Sequence, residues 1–273
     1  MAQNGLSAPP RFRNGRTRAL TDTWVLTKRQ LVRIPRVPEL IAFATFQPLS
    51  FLLLFRYVFG GAIDTGGPSY IDYMMAGILV QTAVIGASAS CTGVAEDMLG
   101  NLVERLRSLP AWRPAFLLGR VAADTVRNLI VTMFLLGAGW LIGFRPACSL
   151  EEGVAAVGLV LVIGFAFSWV GVAMGLTARS VETAQSMGMA WVFPLSFLSS
   201  AFVPTATMPY WLRLFAEHQP MTWLIDAERN LLLHRPVSGS LWPALSVCAL
   251  VLLVFVPLSV FLYERKSRSS AAP

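Results

Sequence analysis

Charged residues are scarce in this chain, and their scarcity argues against a water-soluble globular fold. Of the 273 residues, 14% are charged and 55% are hydrophobic, whereas soluble domains carry about 25% charged residues. A chain with this balance has too little polar surface to enclose its apolar side chains in water. The lipid bilayer is therefore the expected solvent of most of the chain.

Cysteine and histidine are also rare, and this disfavours several kinds of site. The three cysteines, Cys91, Cys148 and Cys248, lie in or beside apolar stretches, so they indicate neither a disulfide framework nor a metal cluster. The two histidines, His218 and His234, are far from the cysteines, so the ligand spacing of a zinc site is missing. We expect no metal and no cofactor bound by this chain.

The two lysines do not form a nucleotide-binding motif. Lys28 is followed by Arg29, and Lys266 has no glycine near it, so the phosphate-binding P-loop of an ATPase is missing. The sequence also lacks a Gly-x-Ser-x-Gly elbow, a His-Glu-x-x-His helix and paired carboxylates placed for acid and base catalysis. No catalytic residue is predicted, which disfavours an intramembrane lipid-processing enzyme. A scaffold without transport is a further alternative.

Long apolar stretches are abundant, and six of them are long enough to cross a membrane. A helix that spans about 30 Å of hydrocarbon needs roughly 20 mostly apolar residues. These stretches predict an all-α integral membrane fold with a six-span domain over residues 37–264. The predicted spans are Leu40–Gly61, Tyr70–Val94, Phe116–Phe144, Gly153–Leu176, Ala184–Val203 and Leu241–Leu262.

Two of these spans are imperfect. Pro48 interrupts the first, which weakens it because proline cannot donate a backbone hydrogen bond. The third begins with Arg120, Asp124 and Arg127, spaced so that the aspartate can pair with both arginines on one helical face. We expect this charged turn to lie at the membrane surface.

The basic residues predict the orientation of the chain. With both termini in the cytoplasm, 17 of the 22 lysines and arginines fall in cytoplasmic segments and 5 outside, as the positive-inside rule requires. The net charge of +7 is therefore interpreted as a topology signal. A nucleic-acid partner is disfavoured, because the basic residues form no single face with stacking aromatics. We expect a multi-pass protein of the bacterial plasma (inner) membrane without a signal peptide, with a disordered basic tail at 1–16 and a cytoplasmic tail at 265–273.

Residues 17–36 are predicted to form an amphipathic helix on the inner membrane surface. Apolar residues recur there at steps of three and four, and basic residues occupy the opposite face. Such a helix lies flat on the leaflet, with tryptophan at the headgroup level. It is either a membrane anchor alone or, as we favour, also a contact for a partner protein. The predicted interface residues are Leu20, Trp24, Arg29, Leu31 and Arg33.

A second amphipathic helix is predicted at 96–110, between the second and third spans. Leucines form one stripe and polar residues the other, and a proline ends the segment. A short helix of this kind suits docking into a groove of a partner; the alternative is a helix that rests on lipid. The predicted partner contacts are Glu96, Leu99, Leu102, Glu104, Arg105, Leu106, Leu109 and Pro110.

The outer segment 204–240 is too long for a tight turn and too apolar for a solvated loop. Its aromatic residues favour the membrane interface, and a break at His218–Pro220 divides it into two short helices. We expect a partly re-entrant helical hairpin at the outer end of the bundle; a loose loop is the alternative.

Three stretches of the sequence form recognisable motifs. The first combines Glu96–Gly100, Arg105–Pro110 and Leu118–Arg120; the second runs from Phe197 to Pro204, with Met208-Pro209 and Trp211-Leu212; the third is His218–Pro220 with Ala227–Arg229. Together they resemble the permease subunits of type-2 ABC exporters, especially the daunorubicin and doxorubicin resistance branch of actinobacteria. The likeness covers nearly the whole chain. A departure is that Ser200 and Ala201 stand where a glycine is common in the family.

The resemblance implies six helices per subunit, an N-terminal interface helix, a coupling helix after the second span and an outer hairpin before the last. It further implies a dimer of identical or paralogous permeases with two separate ABC ATPase subunits, which bind ATP and Mg. Residues 18–36 and 96–110 would match the ATPase contacts of the family.

The hypothesis that follows is an exporter that moves hydrophobic or amphipathic, drug-like compounds outward along the interface between two permeases. ATP would close the partner subunits, and the docked helices would transmit that motion. A permease for a cell-wall lipid or polysaccharide is the alternative cargo class. The spans offer aromatic rather than charged side chains for a path, and the candidates are Phe43, Phe46, Phe51, Phe55, Trp191, Phe193 and Phe197.

Overall fold

Every regular element in the described part of this computed structural model is a helix. The structure describes residues 27–28, 38–61, 69–100 and 115–269. In the first helix the side chains are described from Thr45 onward, and in the last helix up to Lys266. The elements, in chain order, are α1 (Pro38–Leu54), a π-helical turn (Phe55–Phe59), α2 (Tyr70–Leu99), α3 (Ala115–Ile142), α4 (Leu150–Thr177), α5 (Val181–Ala190), α6 (Val192–Phe197), a 3-10 turn (Thr205–Thr207), α7 (Tyr210–His218), α8 (Pro220–Leu232) and α9 (Ser238–Ser269).

Four of these helices are long and apolar enough to cross a membrane. They are α2, α3, α4 and the Ser238–Lys266 part of α9. They correspond to the second, third, fourth and sixth predicted spans, and they confirm an all-α membrane fold. The first predicted span appears as α1 with its π-helical turn, so a total of six spans stays a prediction.

The fifth predicted span was expected to be one continuous helix, and that expectation is wrong. Trp191 separates α5 from α6, and α6 ends at Phe197, after which the chain turns irregularly to Phe202. Pro194 supplies the physical reason for the break, because it has no N–H to donate to the carbonyl of Ala190. The chain therefore enters the outer segment through irregular backbone instead of a helix end at Val203.

Close backbone contact holds α2 and α4 together, and these two helices run in the same direction. A Cβ on Gly171 would lie 2.0 Å from the carbonyl oxygen of Ala87, and one on Gly175 would lie 2.3 Å from that of Cys91. Small residues four apart permit such an approach between membrane helices. The buried core of the bundle forms largely around α2, which also packs on α3, α5 and α8.

The outer segment contains two helices where the proline and aromatic pattern predicted them. They are α7 and α8, and Gln219 separates them in an extended conformation. Pro220 occupies the first turn of α8, where a missing N–H costs nothing. The helix α8 packs on α2, α4, α7 and α9, so it joins the hairpin firmly to the bundle. Re-entry of this hairpin into the membrane stays a prediction.

Candidate functional site

Six phenylalanines form an aromatic cluster where α1 meets the end of α6. Phe55 stacks on Phe202 with ring centroids 4.4 Å apart, and Phe51 lies 6.2 Å from Phe197 in an edge-to-face arrangement. Phe193 stacks on Phe197 at 6.1 Å, and Phe59 lies 5.3 Å from Phe55. Such pairs contribute stability beyond their buried area. The aromatic cluster comprises Phe51, Phe55, Phe59, Phe193, Phe197 and Phe202.

Four of the predicted path residues therefore meet, and two others with described side chains, Trp191 and Phe46, do not join them. Trp191 stacks on Phe167 at 5.9 Å, on the side of the break that faces α4. Phe46 is 68% exposed and has no ring neighbour among the described side chains. The side chain of Phe43 lies outside the described residues. Two members, Phe59 and Phe202, were not among the predicted path residues.

The irregular backbone after α6 is held by polar side chains from α2 and from the hairpin. Tyr73 Oη donates to the carbonyl of Ser200 and Tyr70 Oη to that of Phe202, both at 3.0 Å. The side-chain amide of Gln219 donates to the carbonyl of Leu198. Non-helical backbone survives at membrane depth only when its polar groups find such partners. These bonds explain how the chain tolerates a broken fifth helix.

Arg229 connects three parts of the molecule at this place. Its Nε donates to the carbonyl of Tyr73 at 3.1 Å, its Nη1 donates to Asp226 at 2.6 Å, and its Nη2 donates to the carbonyl of Ser200. The guanidinium also lies over the Tyr73 ring, 3.8 Å from the centroid. We call this set the hairpin cluster; its members are Tyr70, Tyr73, Ser200, Asp226 and Arg229.

The charged turn at the start of α3 differs from its prediction. Asp124 accepts from Arg127 at 3.1 Å and from the Ser90 hydroxyl at 2.6 Å. Arg120, which we expected to share Asp124, pairs instead with Asp97 on α2. Both side chains of that pair are largely buried, 14% and 12% exposed for Arg120 and Asp97 respectively. The expectation failed because a residue on a neighbouring helix competes with one on the same helical face.

The Asp97–Arg120 pair depends on the glycine at position 93, which has no side chain. A Cβ on Gly93 would collide with the guanidinium of Arg120. The pair joins the last turn of α2 to the first turns of α3, so it spans the base of the segment predicted to couple to a partner. The sequence spacing offered no signal for this pairing.

The predicted partner contacts are only partly within the described residues. Glu96 and Leu99 belong to the last turn of α2, which runs on beyond the predicted end of the second span at Val94. The helix ends at Leu99, and the backbone of the next residue, Gly100, is extended. The other predicted contacts lie outside the described residues, both in the coupling segment (Leu102, Glu104, Arg105, Leu106, Leu109 and Pro110) and in the interface helix (Leu20, Trp24, Arg29, Leu31 and Arg33).

The sequence reasoning gave no separate role to Glu228. This side chain is 0% exposed, and neither carboxylate oxygen has a hydrogen-bond partner among the described residues. Burial raises the pKa of the Glu228 carboxyl well above its usual range. A glutamate on the apolar face of α8 was the signal in the sequence that could have identified Glu228 as a buried acid.

The sequence of this chain matches a known protein family and is similar to several known proteins. The sequence model of the ABC-2 type transporter family matches residues 21–233. The chain is 30% identical over 255 residues to a daunorubicin resistance ABC transporter permease protein of Streptomyces coeruleorubidus, covering 93% of this chain and 90% of the relative. It is 27% identical over 239 residues to a "probable doxorubicin resistance ABC transporter permease protein" of Mycobacterium tuberculosis, covering 84% and 83% of the two chains.

Proposed function

This chain belongs to the ABC-2 type transporter family and is a membrane permease subunit of an ABC drug exporter, and we propose that it moves hydrophobic or amphipathic compounds out of the cell. The family match over residues 21–233 is the observation that carries this proposal. The named relatives are drug resistance permeases, which supports a drug-like cargo.

The energy comes from another polypeptide. As an ABC permease, the chain works with an ATPase subunit. We infer that two ATPase copies bind ATP and Mg and that this chain contributes no catalytic group of its own. We also infer that a second permease, identical or paralogous, completes the complex. The interface helix and the segment 96–110 are the proposed contacts with the ATPase.

The aromatic cluster is the proposed part of the cargo path within this chain. Its residues come from α1, the π-helical turn, α6 and the irregular backbone after α6. Phe197 and Phe59 are exposed. Apolar pockets lined by aromatic rings suit hydrophobic ligands, and the π-helical turn that carries Phe55 and Phe59 is a feature frequent at functional sites. A second permease placed against this face would enclose the rings and exclude lipid from them.

The Asp97–Arg120 pair and the hairpin cluster suggest how movement is transmitted from one side of the membrane to the other. The Asp97–Arg120 pair would make α2 and α3 move together when an ATPase pushes on the segment between them. The helix α2 also carries Tyr70 and Tyr73, which bind the irregular backbone after α6 at its other end. A displacement of α2 would therefore reach the outer hairpin directly, as in rigid-body switching of packed helices.

The proposed setting is a bacterial plasma (inner) membrane with both termini in the cytoplasm. Labelling tests the orientation: in a variant without the three native cysteines, a cysteine introduced by Arg105→Cys should react only with reagents that reach the cytoplasm. Reaction of that cysteine from the outside would refute the proposed topology.

Transport is tested by expressing the chain with its ATPase partner and preparing inverted membrane vesicles. We expect ATP-dependent uptake of daunorubicin or doxorubicin, abolished when the ATPase partner is made inactive. Loss of one aromatic contact is worth about 0.5–1.5 kcal/mol, so Phe51→Ala or Phe55→Ala should weaken cargo handling about two- to tenfold. The matched control is Phe261→Ala on α9, where the ring is exposed and outside the aromatic cluster. Equal transport by cluster and control variants would refute the path assignment, and no uptake of any hydrophobic compound would refute the cargo class.

A further inference from the structure

The end of α8 meets the start of α4 at a junction that contains several titratable groups. The backbone N–H of Ala147 donates to the carbonyl of Leu232 at 3.1 Å. His234 Nδ1 lies 2.7 Å from Glu152 Oε2, and Glu152 also closes the capping box with Ser149 that begins α4. The junction therefore fastens the C-terminal end of α8 to the start of α4.

Glu228 lies one helical turn before Leu232 on α8, next to this junction. Its carboxyl is fully enclosed, and no donor or cation among the described residues reaches either oxygen. Glu228 and Glu152 both lie near enough to Cys148 to act electrostatically on its thiol. A charge left alone in such surroundings is strongly disfavoured, and the group binds a proton instead.

The charged neighbours of α8 do not neutralise Glu228. Arg229 is directed to the other side of the helix, where it binds Asp226 and the carbonyls of Tyr73 and Ser200. On α7, Arg213 pairs with Glu217. Among the described residues of α9, Cys248 is the one titratable side chain before Tyr263. Other titratable groups on the elements around α8 include Tyr70, Asp72 and Tyr73 of α2, Arg145 and Cys148 of the loop before α4, Glu151 and Glu152 of α4, Tyr210 and His218 of α7, and His234 and Arg235 after α8.

We propose that Glu228 makes the junction a pH-sensitive fastening, which keeps α8 docked on α4 in acid and loosens it in alkali. Under the proposed function this junction lies at the outer end of the permease, so the pH outside the cell would bias the opening of that end. The fastening itself is a property of this chain and does not require an ATPase.

The direction of the pH effect follows from Glu228. Glu228 keeps its proton while docked, because burial holds its pKa well above the usual value. Once undocked and hydrated, the carboxyl loses that proton above pH about 4.3. Undocking therefore releases a proton from Glu228, and the undocked fraction rises up to tenfold for each pH unit until the raised pKa is reached.

Hydrogen–deuterium exchange on the purified chain in lipid nanodiscs tests this proposal. The measured quantity is the protection of α8 amides relative to α3 amides at the same pH, each corrected for the intrinsic exchange rate. We expect relative protection of α8 to fall up to tenfold per pH unit between pH 6 and 8. Glu228→Gln should remove most of that slope. Glu151→Gln, an exposed neighbour at the start of α4, is the control and should leave the slope unchanged.

Several results would overturn the proposal. A wild-type protection ratio independent of pH contradicts it, as does an unchanged slope in Glu228→Gln. If Glu228→Gln proves unstable, Glu228→Met, which has no ionisable group, decides the matter; an unchanged slope there contradicts the proposal. Transport assays separate this inference from the proposed function. A pH slope in exchange with no transport leaves the fastening intact, whereas transport with identical pH profiles in wild type and Glu228→Gln refutes its regulatory role.

Discussion

Replacing Arg229 by methionine tests whether the hairpin cluster holds the outer segment to the bundle. Arg229 is 4% exposed, and methionine fills similar volume without charge or donors. The change removes the bonds to the carbonyls of Tyr73 and Ser200 and the contact with the Tyr73 ring. It removes the ion pair of Asp226, but that carboxylate still accepts from the Ser200 hydroxyl at 2.8 Å and, at 42% exposed, stays hydrated.

The size of the effect follows from these contacts. Hydrogen bonds from a charged group contribute about 1.5–3 kcal/mol each. Burying the guanidinium charge is itself unfavourable, so replacing it by methionine recovers part of that loss. We therefore expect Arg229→Met to lower the free energy of unfolding by about 2–4 kcal/mol. The Asp226→Asn control removes only a partly exposed ion pair and should cost about 0–1 kcal/mol.

The measurement is unfolding of the purified chain in mixed micelles with increasing sodium dodecyl sulfate, followed by far-ultraviolet circular dichroism. Arg229→Lys keeps the charge but loses the planar fork and the stacking on Tyr73, so it should fall between the two variants. If Arg229→Met were no less stable than Asp226→Asn, the cluster would not be what holds the irregular backbone after α6.

Two other predictions concern the packing of α2. Asp97→Arg and Arg120→Asp should each impair ATP-driven transport, and the double exchange should recover more transport than either single change, because the ion pair is rebuilt in reverse; equal loss in all three would show that the pair is not required. Gly171→Ala should destabilise the fold by about 3 kcal/mol, since the new Cβ would lie 2.0 Å from the carbonyl oxygen of Ala87. Gly158→Ala on the same helix has open space around it and should be neutral or stabilising by up to about 1 kcal/mol; similar melting of the two variants would contradict the close contact of α2 and α4.

The local pattern of the sequence predicted most of the helices. A run of about 20 apolar residues must form its own backbone hydrogen bonds in lipid, so composition alone indicates a helix. The long helices α2, α3, α4 and α9 begin or end within a few residues of the predicted limits. The break between α7 and α8 is also local, because Gln219 precedes Pro220 and proline restricts the residue before it.

The sequence did not predict the contacts between residues that are distant in the chain. Asp124 lies on the same helical face as Arg120, yet Asp97, 23 positions earlier, binds that arginine. The fifth span has the composition of a continuous helix, but the chain breaks there and finds substitute donors in Tyr70, Tyr73 and Gln219. No periodicity in a single segment reports such bonds, since each joins residues far apart in the chain.

The sequence by itself determined that this chain is a multi-helix membrane protein of the exporter permease type, because apolar length, charge asymmetry and short motifs are properties of consecutive residues. Only the tertiary structure decided which phenylalanines gather beside Phe202, which groups Arg229 joins, and that Glu228 is enclosed without a partner. The physical reason is that burial and pairing depend on what neighbouring helices bring close, and a residue's own neighbours in the chain do not specify that environment.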